Sequence, residues 1–261
     1  ADGEAGDKLV VKGLAAIASM LRRAPDPEGE DGYMLHHLSL REHILTTETM
    51  SYPVEQARKA FAKAAMNPDE EGSISNYLYR TGIDHLLTNN QVDDARAKLL
   101  DLDYLGKLFE LGKQNLDILQ YWLKIGDDDQ GKGYIASVNK YLERKLKEEN
   151  LDVLETFLKL CIETGWSVVG VETGKLISEA SEALLGLGHI KTLIFLGNLA
   201  ELYKNNGIYD ESEKLFNKVL KLQKNLLGED NVNTLGTTIN LGELYNNTGD
   251  YIQAENLLKS T

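Results

Sequence analysis

The chain has 261 residues, of which 42% are hydrophobic and 26% charged, with only four prolines and a formal net charge of −13. That mix suits a folded, helix-rich protein. The acidic balance argues against nucleic-acid binding, which needs basic side chains to displace counterions from phosphates, and against adsorption to anionic membranes. A single cysteine, Cys161, excludes an intrachain disulfide and points to a reducing, cytoplasmic setting. The most apolar window, Leu184–Tyr203, carries His189, Lys191 and Glu201 and reads as buried helix rather than a membrane span. The chain starts at Ala1 without Met and stops at Thr261 inside a predicted helix, so it is expected to be part of a longer protein.

From the N-terminus, Leu9–Arg23 reads as a helix with Leu9, Val10, Leu14, Ile17 and Leu21 on its apolar side. Pro25–Gly32 reads as a turn or loop, Tyr33–His36 as a short strand, and Ser39–Leu45 as a second helix. Helix, hairpin-like loop and helix resemble the end of a winged-helix domain, and residues 1–52 are assigned to such a segment. Residues 53–111 follow as a helical linker, including Tyr79–Leu87 and Ala95–Leu105. Residues 112–190 read as degenerate helix pairs. Leu116–Ile125 and Tyr134–Leu146 form the first of them, with Gly126 at the turn.

Residues 191–261 contain two clear repeats. Thr192, Leu193, Asn198, Leu199, Glu201, Leu202 and Tyr203 recur 42 residues later as Thr234, Leu235, Asn240, Leu241, Glu243, Leu244 and Tyr245. The offset continues through Gly207 and Gly249, Tyr209 and Tyr251, Glu213 and Glu255, and Leu215 and Leu257. A third, weaker copy is visible upstream in Leu151, Phe157, Leu160 and Gly165. Leu199, Leu202 and Tyr203 fall at helical spacing as one apolar stripe. After Gly207 comes a second stripe at Leu215, Phe216, Val219, Leu222 and Leu226. Each unit is therefore an antiparallel helix pair, and one pair cannot bury both stripes alone, so neighbours must stack. The expected fold class is all-α.

The two units resemble tetratricopeptide repeats of the 42-residue kind found in kinesin light chains. The likeness rests on Asn198-Leu-Ala-Glu-Leu-Tyr203, Gly207-Ile-Tyr209 and Leu226-Leu-Gly-Glu-Asp230, and on Asn240-Leu-Gly-Glu-Leu-Tyr245 and Gly249-Asp-Tyr251. It implies a right-handed superhelix whose first helices line a concave groove that binds a protein or peptide segment. By family position the groove residues are Ile194, Asn198, Glu201, Lys204 and Asn205, then Ile239, Asn240, Glu243, Asn246 and Asn247, with Gly197 also on this face. Kinesin light chains often pair two asparagines at the centre of the first helix. Here only the second stands, because Gly197 and Ile239 replace the first. Asn198 and Asn240 either contact a ligand backbone or bond to the adjacent helix and hold the stack together. Lys204, Asn205, Asn246 and Asn247 are either ligand contacts or solvated turn residues.

His37-Leu-Ser-Leu-Arg-Glu-His43 and Tyr79-Arg-Thr-Gly-Ile-Asp-His85 resemble the winged-helix and linker segments of STAND-class signalling NTPases. That resemblance implies a regulatory part whose repeats contact the protein's own N-terminal NTPase module. No catalytic constellation, cofactor site or metal site is expected. Gly170–Leu176 lacks the first glycine and the Ser or Thr of a phosphate loop. His36, His37, Glu42 and His43 lack the i, i+4 histidine pair of a helical zinc site. Asp127–Asp129 is not followed by the glycine and glutamate of a calcium loop.

Overall fold

The computed structural model describes residues 21–25, 31–35, 73–126 and 130–259, together with Lys59, Ala62, Lys63 and Met66. The chain divides into two compact units, residues 1–98 and 99–261. Apart from one hairpin, every regular element among the described residues is helical.

In the first unit, strand β1 (Leu21–Pro25) pairs antiparallel with β2 (Asp31–Leu35), setting Leu21 opposite Leu35 and Pro25 opposite Asp31. Tyr33–Leu35 is a strand as expected, but the helix predicted to run to Arg23 is not formed at its end, where Leu21, Arg22 and Arg23 are extended. A pairing strand five residues away satisfies these backbone groups. Pro25, which has no amide hydrogen, sits at the strand terminus, where the ladder loses least. The rest of that helix, the Ser39–Leu45 helix and the cluster of His36, His37, Glu42 and His43 lie outside the described residues. Helices α1 (Ser73–Thr88) and α2 (Val92–Leu99) follow. The turn between them places Asn90 at φ 59°, a left-handed conformation that asparagine tolerates. Ile83, Leu86 and Ala95 are fully buried.

The second unit begins with α3 (Leu102–Glu110), whose first turn is capped by the Asp101 carboxylate accepting from the Asp103 amide at 3.0 Å. Next come α4 (Asn115–Ile125) and α5 (Gln130–Lys145), the two upstream helices expected from sequence. Asp127–Asp129 lie outside the described residues. After a short 3₁₀ turn at Glu148–Asn150, three helix pairs follow. They are α6 (Leu151–Thr164) with α7 (Ser167–Leu185), α8 (Ile190–Asn205) with α9 (Tyr209–Leu227), and α10 (Val232–Thr248) with α11 (Tyr251–Lys259). The turns after α8 and α10 hold Gly207 at φ 74° and Gly249 at φ 83°, where a side chain would be strained. The apolar window at Leu184–Tyr203 is split between α7 and α8. No helix among the described residues is long and apolar enough to cross a membrane.

Each helix packs against the next in sequence from α7 to α11, and the first helices α6, α8 and α10 also lie side by side. Between α8 and α11 the core gathers Ala200, Phe216, Leu220, Leu241, Leu244 and Ala254, with Leu215 and Leu257 against it. Leu226, expected in the second stripe, is 55% exposed because it falls in the last turn of α9. The upstream helices use aromatic packing instead. Tyr134 is fully buried, 5.0 Å from the Phe157 ring and 5.6 Å from Trp166 between centroids, and its hydroxyl accepts from Trp122 Nε1 at 3.1 Å. The run Gly170–Leu176 lies within α7. A Cβ at Gly170 would stand 2.4 Å from Leu202 Cδ2, so this glycine serves the close approach of α7 and α8.

Candidate functional site

Helices α8 and α10 begin alike. His189 Nδ1 accepts the Lys191 amide at 3.2 Å, and Asn231 Oδ1 accepts the Asn233 amide at 2.9 Å. With Nδ1 accepting, the ring proton sits on Nε2, which lies 3.3 Å from Glu148 Oε1. From these caps, a helical period of 3.6 residues sets Ile190, Ile194, Gly197, Glu201 and Lys204 along one stripe of α8. The same positions of α10 hold Val232, Gly236, Ile239, Glu243 and Asn246.

Side-chain bonds fix the lateral register of these helices. Lys204 Nζ donates to Glu243 Oε2 at 2.8 Å, Asn240 Nδ2 donates to Glu201 Oε2 at 3.4 Å, and each pair is separated by 39 residues. One helix earlier, Lys191 Nζ donates to Asp152 with the same separation, and to Glu155 Oε2 at 3.2 Å. Glu155 also accepts from Lys159 at 2.7 Å, and Asn115 donates to Glu163. These bonds tie α4, α6, α8 and α10 together across one face.

The electrostatics follow from that network. Burial pushes the Glu201 carboxyl up, the Lys204 ammonium pulls it down, and Glu243 adds repulsion, so its pKa stands above the usual carboxylate value. For Glu155, burial also pushes upward, but the bonds from Lys159 and Lys191 prevail and lower it. Lys191 is raised, because its bonds to Asp152 and Glu155 outweigh burial. Burial alone lifts the Cys161 thiol to about 12, leaving it inert at neutral pH.

Of the ten residues expected on the groove, all but Asn198 fall into two groups. Asn205, Ile239, Asn246 and Asn247 are exposed, Ile194 is half-buried, and none of the amides among them is drawn into the network above. Lys204 is buried rather than solvated, and with Glu201, Asn240 and Glu243 it joins α8 to α10. Asn240 thus holds the stack. Asn198 occupies the equivalent position one unit earlier, yet its Nδ2 is buried without a hydrogen-bond partner. The 39-residue register sets it against Lys159, which offers no acceptor, where Asn240 meets Glu201. Sequence reading missed the exposed pair Ile190 and Val232 at the helix starts, although the 42-residue offset relates them. It also missed a cavity of about 190 Å³ where the start of α9 meets the end of α10, lined by Tyr209, Asp210, Glu213, Tyr245 and Asp250. The Tyr245 hydroxyl donates to Glu213 there at 3.0 Å. Among the described residues, no group of three His, Cys, Asp or Glu side chains is placed to hold a metal ion.

Stacked helix pairs with a 42-residue period and a glycine at each turn define a helical repeat protein. Residues 180–261 match the family model for the tetratricopeptide repeat. Repeats of this family generally mediate protein–protein interaction and generally lack catalytic activity. Two crystal structures of TPR-like repeats from Podosopora anserina, described as a kinesin light chain, are similar to the chain. Each is 17% identical and covers 84% of this chain and 88% of its own, with TM-scores of 0.46 and 0.44. No curated protein matches.

Proposed function

We propose that the repeat array binds a segment of another protein along the face shared by α8 and α10. The contact residues are Ile194, Asn205, Ile239, Asn246 and Asn247. Glu201, Lys204, Asn240 and Glu243 form the frame that spaces the two helices. The observation that carries this reading is the lateral register: the first helices α8 and α10 lie side by side, joined by Lys204–Glu243 and Asn240–Glu201, each pair 39 residues apart. The exposed amides of Asn205, Asn246 and Asn247 offer both donors and acceptors, as an extended peptide backbone requires.

The test is binding of peptides selected from a displayed random library, read by calorimetry. The expected affinity is micromolar or tighter, and it weakens when Glu201 and Asn205 are both changed to alanine. Full affinity in that double variant removes this face from the interaction.

A further inference from the structure

Tyr203 and Tyr245 occupy equivalent places near the ends of α8 and α10, 42 residues apart, but face different charges. Lys175 Nζ, on α7, stands 5.7 Å from the centroid of the Tyr203 ring, an ammonium held on an aromatic face. The repeat fills this position with a cation of its own.

One unit later the cation is replaced. Asn217 stands at the Lys175 position, neutral and beside the Tyr245 hydroxyl. The surroundings of the tyrosine change with it: at the same 42-residue offset, Val168, Val171 and Ile208 give way to Asp210, Glu213 and Asp250. These three carboxylates, with Tyr209 and Tyr245, line the cavity of about 190 Å³, and none of its described lining residues is Lys, Arg or His. The bonds made there come from neutral donors, the Tyr245 hydroxyl to Glu213 at 3.0 Å and the Gln253 amide to Asp250 at 3.2 Å. Lys214, which Asp210 attracts, donates instead to Glu211 at 2.8 Å and lies outside the lining. The cavity therefore joins uncancelled negative charge to two tyrosines.

Its size and spacing narrow the ligand. The volume is below the roughly 300–1,000 Å³ of pockets for drug-sized molecules and far above the room one water needs, so it suits a single side chain. Among the described residues no three carboxylates are placed to hold a metal ion. An alkylammonium needs no such convergence: its three donors reach separate acceptors while its apolar stem lies along the tyrosines.

We infer that this cavity receives an alkylammonium group, the lysine side chain of a partner protein, and that the last repeat takes from outside the cation that the preceding repeat supplies with Lys175. A free aliphatic amine carries the same chemistry and is separated from lysine by the experiment. The cavity shares no residue with the contact face proposed above, so the two sites are tested independently.

Nα-acetyl-lysine methylamide is titrated into the whole chain at constant ionic strength and followed by backbone amide shifts. Butylamine is the free-amine arm, and Nα-acetyl-norleucine methylamide is the uncharged control. The expected result is saturable shifts at Tyr209, Tyr245 and Asp250 with a Kd on the order of millimolar, absent with the norleucine compound. Glu213→Gln weakens binding about threefold to fivefold, whereas Glu229→Gln, which removes the same charge beyond the other end of α9, leaves it unchanged. Asn217→Lys, which reproduces the lysine of the preceding repeat, abolishes binding and keeps the helical circular dichroism signal. Equal losses in the two glutamine variants, equal shifts from the norleucine compound, or full binding to the Asn217→Lys variant overturn the inference, as does the absence of saturable shifts. Tighter binding of butylamine than of the lysine derivative overturns the assignment to a protein side chain.

Discussion

Glu201 carries opposing pressures at a single residue. Burial raises its pKa, the Lys204 ammonium lowers it, Glu243 raises it, and the net direction is upward. A carboxyl with a raised folded-state pKa makes the folded protein take up protons relative to the unfolded chain. Its contribution is therefore fully present below the unfolded pKa and is lost as pH rises through the raised value. Glu201→Gln keeps an acceptor for Asn240 and removes that loss, so thermal unfolding at neutral pH is expected to move upward, with a smaller change at mildly acidic pH. An equal drop in Tm at both pH values contradicts this. The glycines give a second residue-scale comparison. Gly197→Ala and Gly236→Ala are each expected to stabilise the chain by about 0.5–1 kcal/mol in urea titrations, since nothing stands near the new methyl group. Gly170→Ala is expected to cost about 1–3 kcal/mol, because its Cβ would stand 2.4 Å from Leu202 Cδ2 and 3.0 Å from Cys161 Cβ. The sequence presents these glycines alike. Only the approach of a neighbouring helix separates a packing glycine from one facing open space.

At the scale of elements, the joint between α6 and α8 is made by Lys191 with Asp152 and Glu155. Glu155 has a lowered pKa, so its contribution is present above the unfolded carboxylate value and is lost as pH falls through the lower folded one. Lys191 is raised, so its share is present below the unfolded lysine value and is lost as pH rises through the raised one. The joint is strongest between those limits. Glu155→Gln is expected to cost about 1 kcal/mol at neutral pH and to flatten the acid limb of the stability profile. An unchanged acid limb in denaturant titrations excludes this joint as its source. The helix pairs themselves were readable, because Leu, Asn, Gly and Tyr return together every 42 residues. The 39-residue lateral register was not, since it depends on how far one pair slides along the next and a single chain's periodicity does not encode that. The hairpin was also missed at Leu21–Arg23, where pairing with Tyr33–Leu35 overrode a helical apolar pattern.

At the scale of the whole molecule, the tetratricopeptide match covers residues 180–261, and the face proposed for binding lies within that stretch. The positions of this face were legible from the repeat, because equivalent residues of two first helices had to share one side. Their division of labour was not. Lys204 and Glu243 carry full charges and looked like ligand contacts, yet they satisfy one another at 2.8 Å. The residues left open are the aliphatic Ile239 and the amides of Asn205, Asn246 and Asn247. Chemical-shift mapping of the whole chain with a peptide selected from the random library tests the account most directly. The expected perturbations centre on the backbone amides of Ile194, Asn205, Ile239, Asn246 and Asn247 and fade along α9 and α11. Perturbations confined to the outer helices, or to the cavity around Tyr209 and Tyr245, contradict it.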